Sequence, residues 1–380
     1  MKTDWKKVKL QDICESISDG DHLPPPKAEK GIPFVTISNI KNNQFDFTNT
    51  MFVPELYYEK LDNKRKAKIG DILYSVVGSF GIPVLIKNNE KIVFQRHIAI
   101  LRPEKIDSHF LFYTMLSKAF YAKANAVAIG AAQRTVSLTA LRNIEISLPP
   151  LETQQKIASI LSAYDDLIEN NRKQIKLLEE AAQRLYKEWF VDLRFPGYEN
   201  VAIVDGVPEG WRIEQLGSLL PIVTGKKDAN FGTKDGMYPF FTCSQEPIKA
   251  PSYSFDANAI LLAGNGDLNV KIFRGKFEAY QRTYVLVPNE QEHLFICYRT
   301  VQDNLRKLIH GASGSTIKFI TKGMIENIDV IIPQDEILIK FNILSDNILK
   351  KMEKLQRQIY LSQQARDKLL PRLMSGDMEV

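Results

Sequence analysis

At 380 residues, 44% hydrophobic and 25% charged, the chain is long enough to hold more than one packed domain. Its three scattered cysteines, Cys14, Cys243 and Cys297, exclude a disulfide framework or a cysteine metal site. No apolar run nears the ~20 residues of a membrane span, and residues 1–7 carry no secretory apolar region, so a cytoplasmic location without a membrane partner is expected.

Residues 1–150 read as a mixed α/β module. Apolar or β-branched runs bounded by Gly, Pro or Asn at 71–77, 83–86, 98–101 and 144–148 predict strands, and 110–126 predicts a helix. This module carries 21 Lys+Arg against 15 Asp+Glu, while the counts are 7 and 9 in 151–200, 14 and 14 in 201–334, and 8 and 7 in 335–380. A surplus confined to one module suits a polyanionic partner, and solubility alone would be served equally well.

The strand ending Ile146-Ser-Leu-Pro-Pro150 runs into proline, which stops strand pairing and presets φ for a helix. Over residues 151–195, Ile157, Leu161, Tyr164, Ile168, Asn171, Ile175, Leu178, Ala182, Leu185 and Trp189 follow alternating steps of four and three, a coiled-coil seam. Asn171 is the polar member of that seam, and such a residue fixes register and orientation. Phe195-Pro-Gly-Tyr198 and Val207-Pro-Glu-Gly210 are turn-rich, so residues 196–210 read as a linker opening a second module, 196–333.

That module repeats the pattern, with strands expected at 259–263, 270–273, 283–287 and 328–332 and a helix at 293–309. It too ends on a strand and proline, Val330-Ile-Ile-Pro333, before a second long helix, 334–380. There Phe341, Ile348, Met352, Leu355, Ile359, Leu369 and Leu373 keep the seam, with Ser345, Ser362 and Arg366 read as weakening it. Module, helix, module, helix implies an antiparallel helix pair. About 35 helical residues span on the order of 50 Å, against ~34 Å for a turn of B-DNA, so the two modules can sit on successive faces of one duplex.

The modules echo each other in sequence. Trp5-Lys-Lys-Val-Lys-Leu10 matches Trp211-Arg-Ile-Glu-Gln-Leu216, and Ile32-Pro-Phe-Val-Thr36 matches Tyr238-Pro-Phe-Phe-Thr242. Phe94-Gln-Arg-His-Ile98 aligns by letter with Tyr280-Gln-Arg-Thr-Tyr284, and Gly130-Ala-Ala-Gln-Arg-Thr-Val136 with Gly311-Ala-Ser-Gly-Ser-Thr-Ile317. The fold expected is α/β, a tandem repeat with pseudo-two-fold symmetry and loops that differ on a shared frame.

Sites of catalysis are missing from the sequence. There is no GxxxxGK[ST] loop, HExxH or Asn/Asp-Pro-Pro-Tyr tetrapeptide, and His22, His97, His109, His293 and His310 lack metal spacing. Gly264-Asn-Gly266 reads as a tight turn. The polar loop residues are stronger candidates: Gln95, Arg96 and His97; Gln133, Arg134 and Thr135; Gln281, Arg282 and Thr283; Ser313, Ser315, Thr316 and Lys318. Arg can bond guanine and Gln adenine in a bidentate manner, and glycines let backbone approach phosphates; a turn-forming role is the alternative for the Gln-Arg pairs. Lys64-Arg65-Lys66-Ala-Lys68 is either a solvated helix face or a phosphate contact.

The whole chain resembles the specificity subunits of type I restriction-modification systems. Leu148-Pro-Pro-Leu-Glu-Thr-Gln-Gln-Lys-Ile157, Tyr186-Lys-Glu-Trp-Phe-Val-Asp-Leu-Arg-Phe-Pro-Gly197, Val207-Pro-Glu-Gly-Trp211 and Leu370-Pro-Arg-Leu-Met-Ser-Gly376 carry the resemblance by their order and spacing. It implies two target-recognition domains on double-stranded DNA, each reading half of a split site, and a helix pair that sets the spacer. It implies that this chain binds no cofactor and catalyses nothing. Two methyltransferase subunits with S-adenosylmethionine would dock on the helices, and restriction/translocase subunits using ATP and Mg²⁺ would join them. Gln334-Asp-Glu-Ile-Leu-Ile-Lys340 departs from the fuller Pro-Leu-x-x-Gln-Gln helix entry. A partner that fuses methylation and cleavage, a self-sufficient nuclease or methyltransferase, and a coiled-coil adaptor are the rival readings.

Overall fold

The computed structural model describes residues 5–131, 133–311 and 319–380. Two compact units divide the chain, Met1–Arg172 with Arg357–Val380, and Lys173–Gln356. Each holds one module and a stretch of both long helices, Leu151–Tyr186 and Asp335–Met374. Among the described residues no helix is long and apolar enough to cross a membrane.

In the first unit, Lys6–Lys9 pairs antiparallel with Glu145–Leu148, so the module's first and last strands close on each other. A four-stranded antiparallel sheet runs Cys14–Asp19, Ile98–Pro103, Ile72–Ser75, Pro83–Leu85. The strand Ile98–Pro103 is apolar on both faces because both are covered. Ala99 and Leu101 join Ile72 and Tyr74 in a core with the helices, while Ile98 and Ile100 join Leu73, Val35 and Phe94 on the other side. There Ile32–Val35 pairs in parallel with Val93–Phe94 and antiparallel with Met51–Val53.

The single helix expected over 110–126 is two, Ser108–Leu116 and Lys118–Val127. Ser117 breaks it: its backbone is extended, and its Oγ accepts the Phe120 amide at 3.2 Å as an N-cap. Ile157, Leu161, Ile168 and Asn171 of the first long helix are buried, with Ile359 and Leu369 of the second half-buried. Asp165 pairs with Arg366, and Asn171 Nδ2 donates to Gln358 Oε1 at 3.4 Å. Rising numbers on one helix meet falling numbers on the other, so the helices are antiparallel in this unit. Ser362 and Arg366 do not open gaps, contrary to the seam pattern: Ser362 is buried, and Arg366 reaches the Asp165 carboxylate that Tyr113 Oη also bonds at 2.7 Å.

The second unit is built the same way. Arg212–Gln215 closes on Asp329–Ile332, and a six-stranded sheet runs Ile222–Thr224, Thr283–Leu286, Phe255–Ala263, Val270–Ala279, Tyr238–Phe241, Ile248–Ala250. Phe255–Ala263 and Val270–Ala279 form a hairpin longer than the expected 259–263 and 270–273. The helix is Leu294–Gly311. On the long helices Ala182, Ser345 and Leu355 are buried and Ile175, Leu178, Leu185, Ile348 and Met352 half-buried. Regular α geometry stops at Tyr186. A π-turn over Lys187–Val191 follows, and Trp189 and Phe190 enter the core, Phe190 lying edge-on to Phe341 with ring centroids 4.8 Å apart.

Candidate nucleic-acid interface

In the first module, backbone past the strand Ile72–Ser75 runs between the two polar turns picked out in the sequence. Val76 N donates to His97 O at 2.9 Å, Val76 O accepts from Val136 N at 2.9 Å, and Gly78 N donates to Arg134 O at 3.0 Å. One strand end thus gathers both turns. Gln95 and Arg96 line a cleft of about 570 Å³ whose walls include Asp21, His22, Thr36, Ser38 and Asn39. Arg96 is exposed.

The other candidates divide by how far the fold already engages them. Burial, with Arg96 alongside, lowers the His97 pKa, which favours a neutral imidazole. Arg134 Nη1 and Nη2 donate to Asn125 Oδ1 and O, both at 2.8 Å, and so close the end of the helix Lys118–Val127. Thr135 exchanges backbone bonds with Ile129, and Gln133 is exposed beside Gly78. The basic run is a 3₁₀ turn, Asn63–Arg65, rather than a helix face. Arg65 turns inward to buried Asp21, which also accepts from Tyr57 Oη. Lys66 donates to Glu59 O at 2.9 Å, while Lys64 and Lys68 are exposed.

Among the described residues the second module repeats two of these backbone bonds. Gly264 N donates to Arg282 O at 2.8 Å and Gly264 O accepts from Ile320 N at 2.9 Å. Gly266, at φ 67°, holds the left-handed turn that Gly78 makes at 68°. The hydrogen bonds correct the letter alignment. Val35 pairs with Phe94 as Phe241 pairs with Ala279, and His97 O and Arg282 O receive equivalent bonds. Gln95 therefore stands where Tyr280 does, Arg96 where Gln281 does, and His97 where Arg282 does. The two Gln-Arg pairs share a turn but sit one residue apart in it. Likewise Thr135 matches Phe319, and not Thr316, because both pair with the residue after the equivalent strand position, Val77 and Asn265. Ser313, Ser315, Thr316 and Lys318 lie outside the described residues.

In that turn Gln281 Nε2 donates to Asp228 Oδ1 at 2.6 Å, and Arg282 is exposed. Thr283 faces the core: it is buried and its hydroxyl donates to Phe241 O at 3.2 Å, which removes it from the surface set. One shared feature escaped the sequence reading. Thr36 and Ser38 in the first module, and Thr242 and Ser244 in the second, each place their hydroxyl oxygens 2.7 Å apart beside the cleft strand. The Thr-x-Ser spacing was visible, but nothing in the letters said that the hydroxyls meet.

A family model described as type I restriction modification DNA specificity domain matches residues 2–180 and 208–370. The chain is similar to the type I restriction enzyme MjaIX specificity subunit of Methanocaldococcus jannaschii, 27% identical over 414 residues that cover 99% of this chain and 94% of the other. It is also similar to the EcoDI specificity subunit of Escherichia coli, 37% identical over 176 residues, 45% of this chain and 39% of that one. In fold it matches the crystal structure of a type I restriction-modification system S subunit from M. genitalium, with a TM-score of 0.62, 15% identity, and coverage of 97% of this chain and 96% of that one.

Proposed function

The chain belongs to the type I restriction-modification DNA specificity family, and from that premise we propose how this DNA-recognition subunit divides its work. Each module reads one half of a split duplex site. The observation that carries this is the duplicated strand end, which holds two turns on the same hydrogen-bond frame but dresses them with unlike side chains: Gln95, Arg96 and His97 in one, Tyr280, Gln281 and Arg282 in the other. Equal frames with unequal side chains give two half-sites of different sequence.

Arg96 in the first module and Arg282 in the second are the leading base contacts, since both guanidinium groups are exposed and an arginine bonds guanine O6 and N7 together. The chain itself catalyses nothing. Two methyltransferase subunits holding S-adenosylmethionine dock on the long helices, and restriction/translocase subunits supply ATP- and Mg²⁺-dependent movement and cleavage. The domain limits that follow are 1–150 and 196–333 for the readers, with 151–195 and 334–380 as the spacer and docking helices.

Co-expression with the neighbouring methyltransferase gene, followed by methylome sequencing, tests this. Modified adenines in one split motif support it. Complex formation with no split motif would leave the family fold serving as an adaptor.

A further inference from the structure

We propose that the duplicated hydroxyl pairs, Thr36 with Ser38 and Thr242 with Ser244, grip the sugar-phosphate backbone of each half-site and read no bases. This rests on the DNA-recognition reading above and assigns a role to residues that reading leaves unused.

Two readers of unlike sequences meet only one thing in common, the backbone. Side chains that the two surfaces share are therefore suited to phosphate, and side chains that differ are suited to bases. On the hydrogen-bond register the cleft surroundings differ almost everywhere: Asp21 against Lys227, Gln95 against Tyr280, Arg96 against Gln281, Thr135 against Phe319. The Thr-x-Ser pair is the same in both, down to the 2.7 Å between its oxygens.

Its chemistry also fits. Ser38 and Ser244 are exposed. Thr36 has a second partner in Asn39 Oδ1 at 3.0 Å, so Ser38 can swing its proton outward without leaving Thr36 unpaired. Thr242 accepts from the Ser244 amide at 3.4 Å, and Ser244 Oγ donates to Glu246 O at 3.1 Å, an acceptor it leaves when it turns to a phosphate. A cation stands beside the second pair, where Lys271 Nζ bonds Ser244 O at 2.9 Å.

The test uses the full chain co-purified with its methyltransferase subunits, carrying Ser38→Ala or Ser244→Ala. The probes are a duplex bearing the methylated motif and a duplex of equal length without it. Loss of one hydroxyl contact lowers affinity about 3- to 10-fold, equally for both duplexes. The motif in the methylome stays unchanged. The slope of log K against log salt also stays unchanged, because a neutral hydroxyl releases no counter-ion. Ser38→Thr, which keeps the hydroxyl, binds near the wild-type level, and melting temperatures do not move. A changed base preference, unaltered affinity, or a loss of affinity that tracks a lowered melting temperature would each overturn the assignment. Should the unmutated complex bind no DNA and methylate no split motif, the DNA-recognition reading itself fails and takes this proposal with it.

Discussion

Asp71 and Arg102 form a buried ion pair under the first module's sheet, with Arg102 Nη2 2.9 Å from Asp71 Oδ2 and side chains 9% and 2% exposed. The Asp71 hydrogen bond raises the Arg102 pKa despite burial, so the guanidinium stays charged. Removing one partner strands the other. Asp71→Ala is expected to cost about 3–5 kcal/mol in urea denaturation. The second module supplies the alternative solution at the same two positions, Ala259 and Val287, fixed by the pairing of Leu101 with Ile72 and of Leu286 with Ile260. Asp71→Ala combined with Arg102→Val should therefore recover most of that loss. A double variant as unstable as the single one would show that the frames do not correspond there. His97 offers a pH handle. Its folded-state pKa is depressed below the ordinary 6.5, so its contribution to stability is complete above about pH 6.5 and is lost as pH falls through the lower folded value. The melting temperature should decline below pH 6.5, less steeply in His97→Gln. Parallel curves for the two proteins would remove His97 from the account.

Among elements, the long helices were the most legible part of the sequence. Period-3.5 spacing of large apolar residues survives any change of loop, and every seam residue from Ile157 to Leu369 is buried or half-buried. What the spacing missed was polar. Arg366 looked like a flaw because a pattern of apolar letters cannot show Asp165 and Tyr113 waiting for it. The Gln-Arg match failed for a related reason: two identical letters outweighed a one-residue slip that only backbone hydrogen bonds reveal. Ser117 hid in a helical run for want of any local sign that its side chain would cap the next helix. Asn171 stands at the position that Leu355 occupies in the second helix, as the alignment of Ile146 with Val330 requires. It is buried with one long hydrogen bond to Gln358. Asn171→Leu is expected to raise stability by about 1–2 kcal/mol while weakening the preference for one helix register. A thermal melt measures the first effect, and disulfide trapping between cysteine pairs placed elsewhere along the seam, compared with and without Asn171→Leu, measures the second. Lower stability would mean that Asn171 holds more than its one visible partner.

For the molecule as a whole, the question is whether its readers are interchangeable parts. The first module is closed by its own ends: Lys6–Lys9 pairs with Glu145–Leu148, so a cut at residue 150 severs one chain connection and no strand pairing. Its seat on the helix is less self-contained. Gln154 bonds the Asp107 amide at 2.9 Å, Tyr113 bonds Asp165, and Lys87 reaches Glu169 at 3.1 Å, while Ile157 and Leu161 complete the module's core. A replacement for residues 1–150 from a relative must bring partners for those side chains. Given that, the graft should fold on the existing helix and change one half of the methylated motif, leaving the other half intact, since the second module closes separately through Arg212–Gln215 and Asp329–Ile332. Methylome sequencing of cells carrying the graft decides it. Change in both halves would mean that the modules do not read independently. A graft that folds only when residues 151–172 come with it, yet alters one half alone, would place the boundary of the reading unit at the end of its helix seat, where the first of the compact unit's two segments ends.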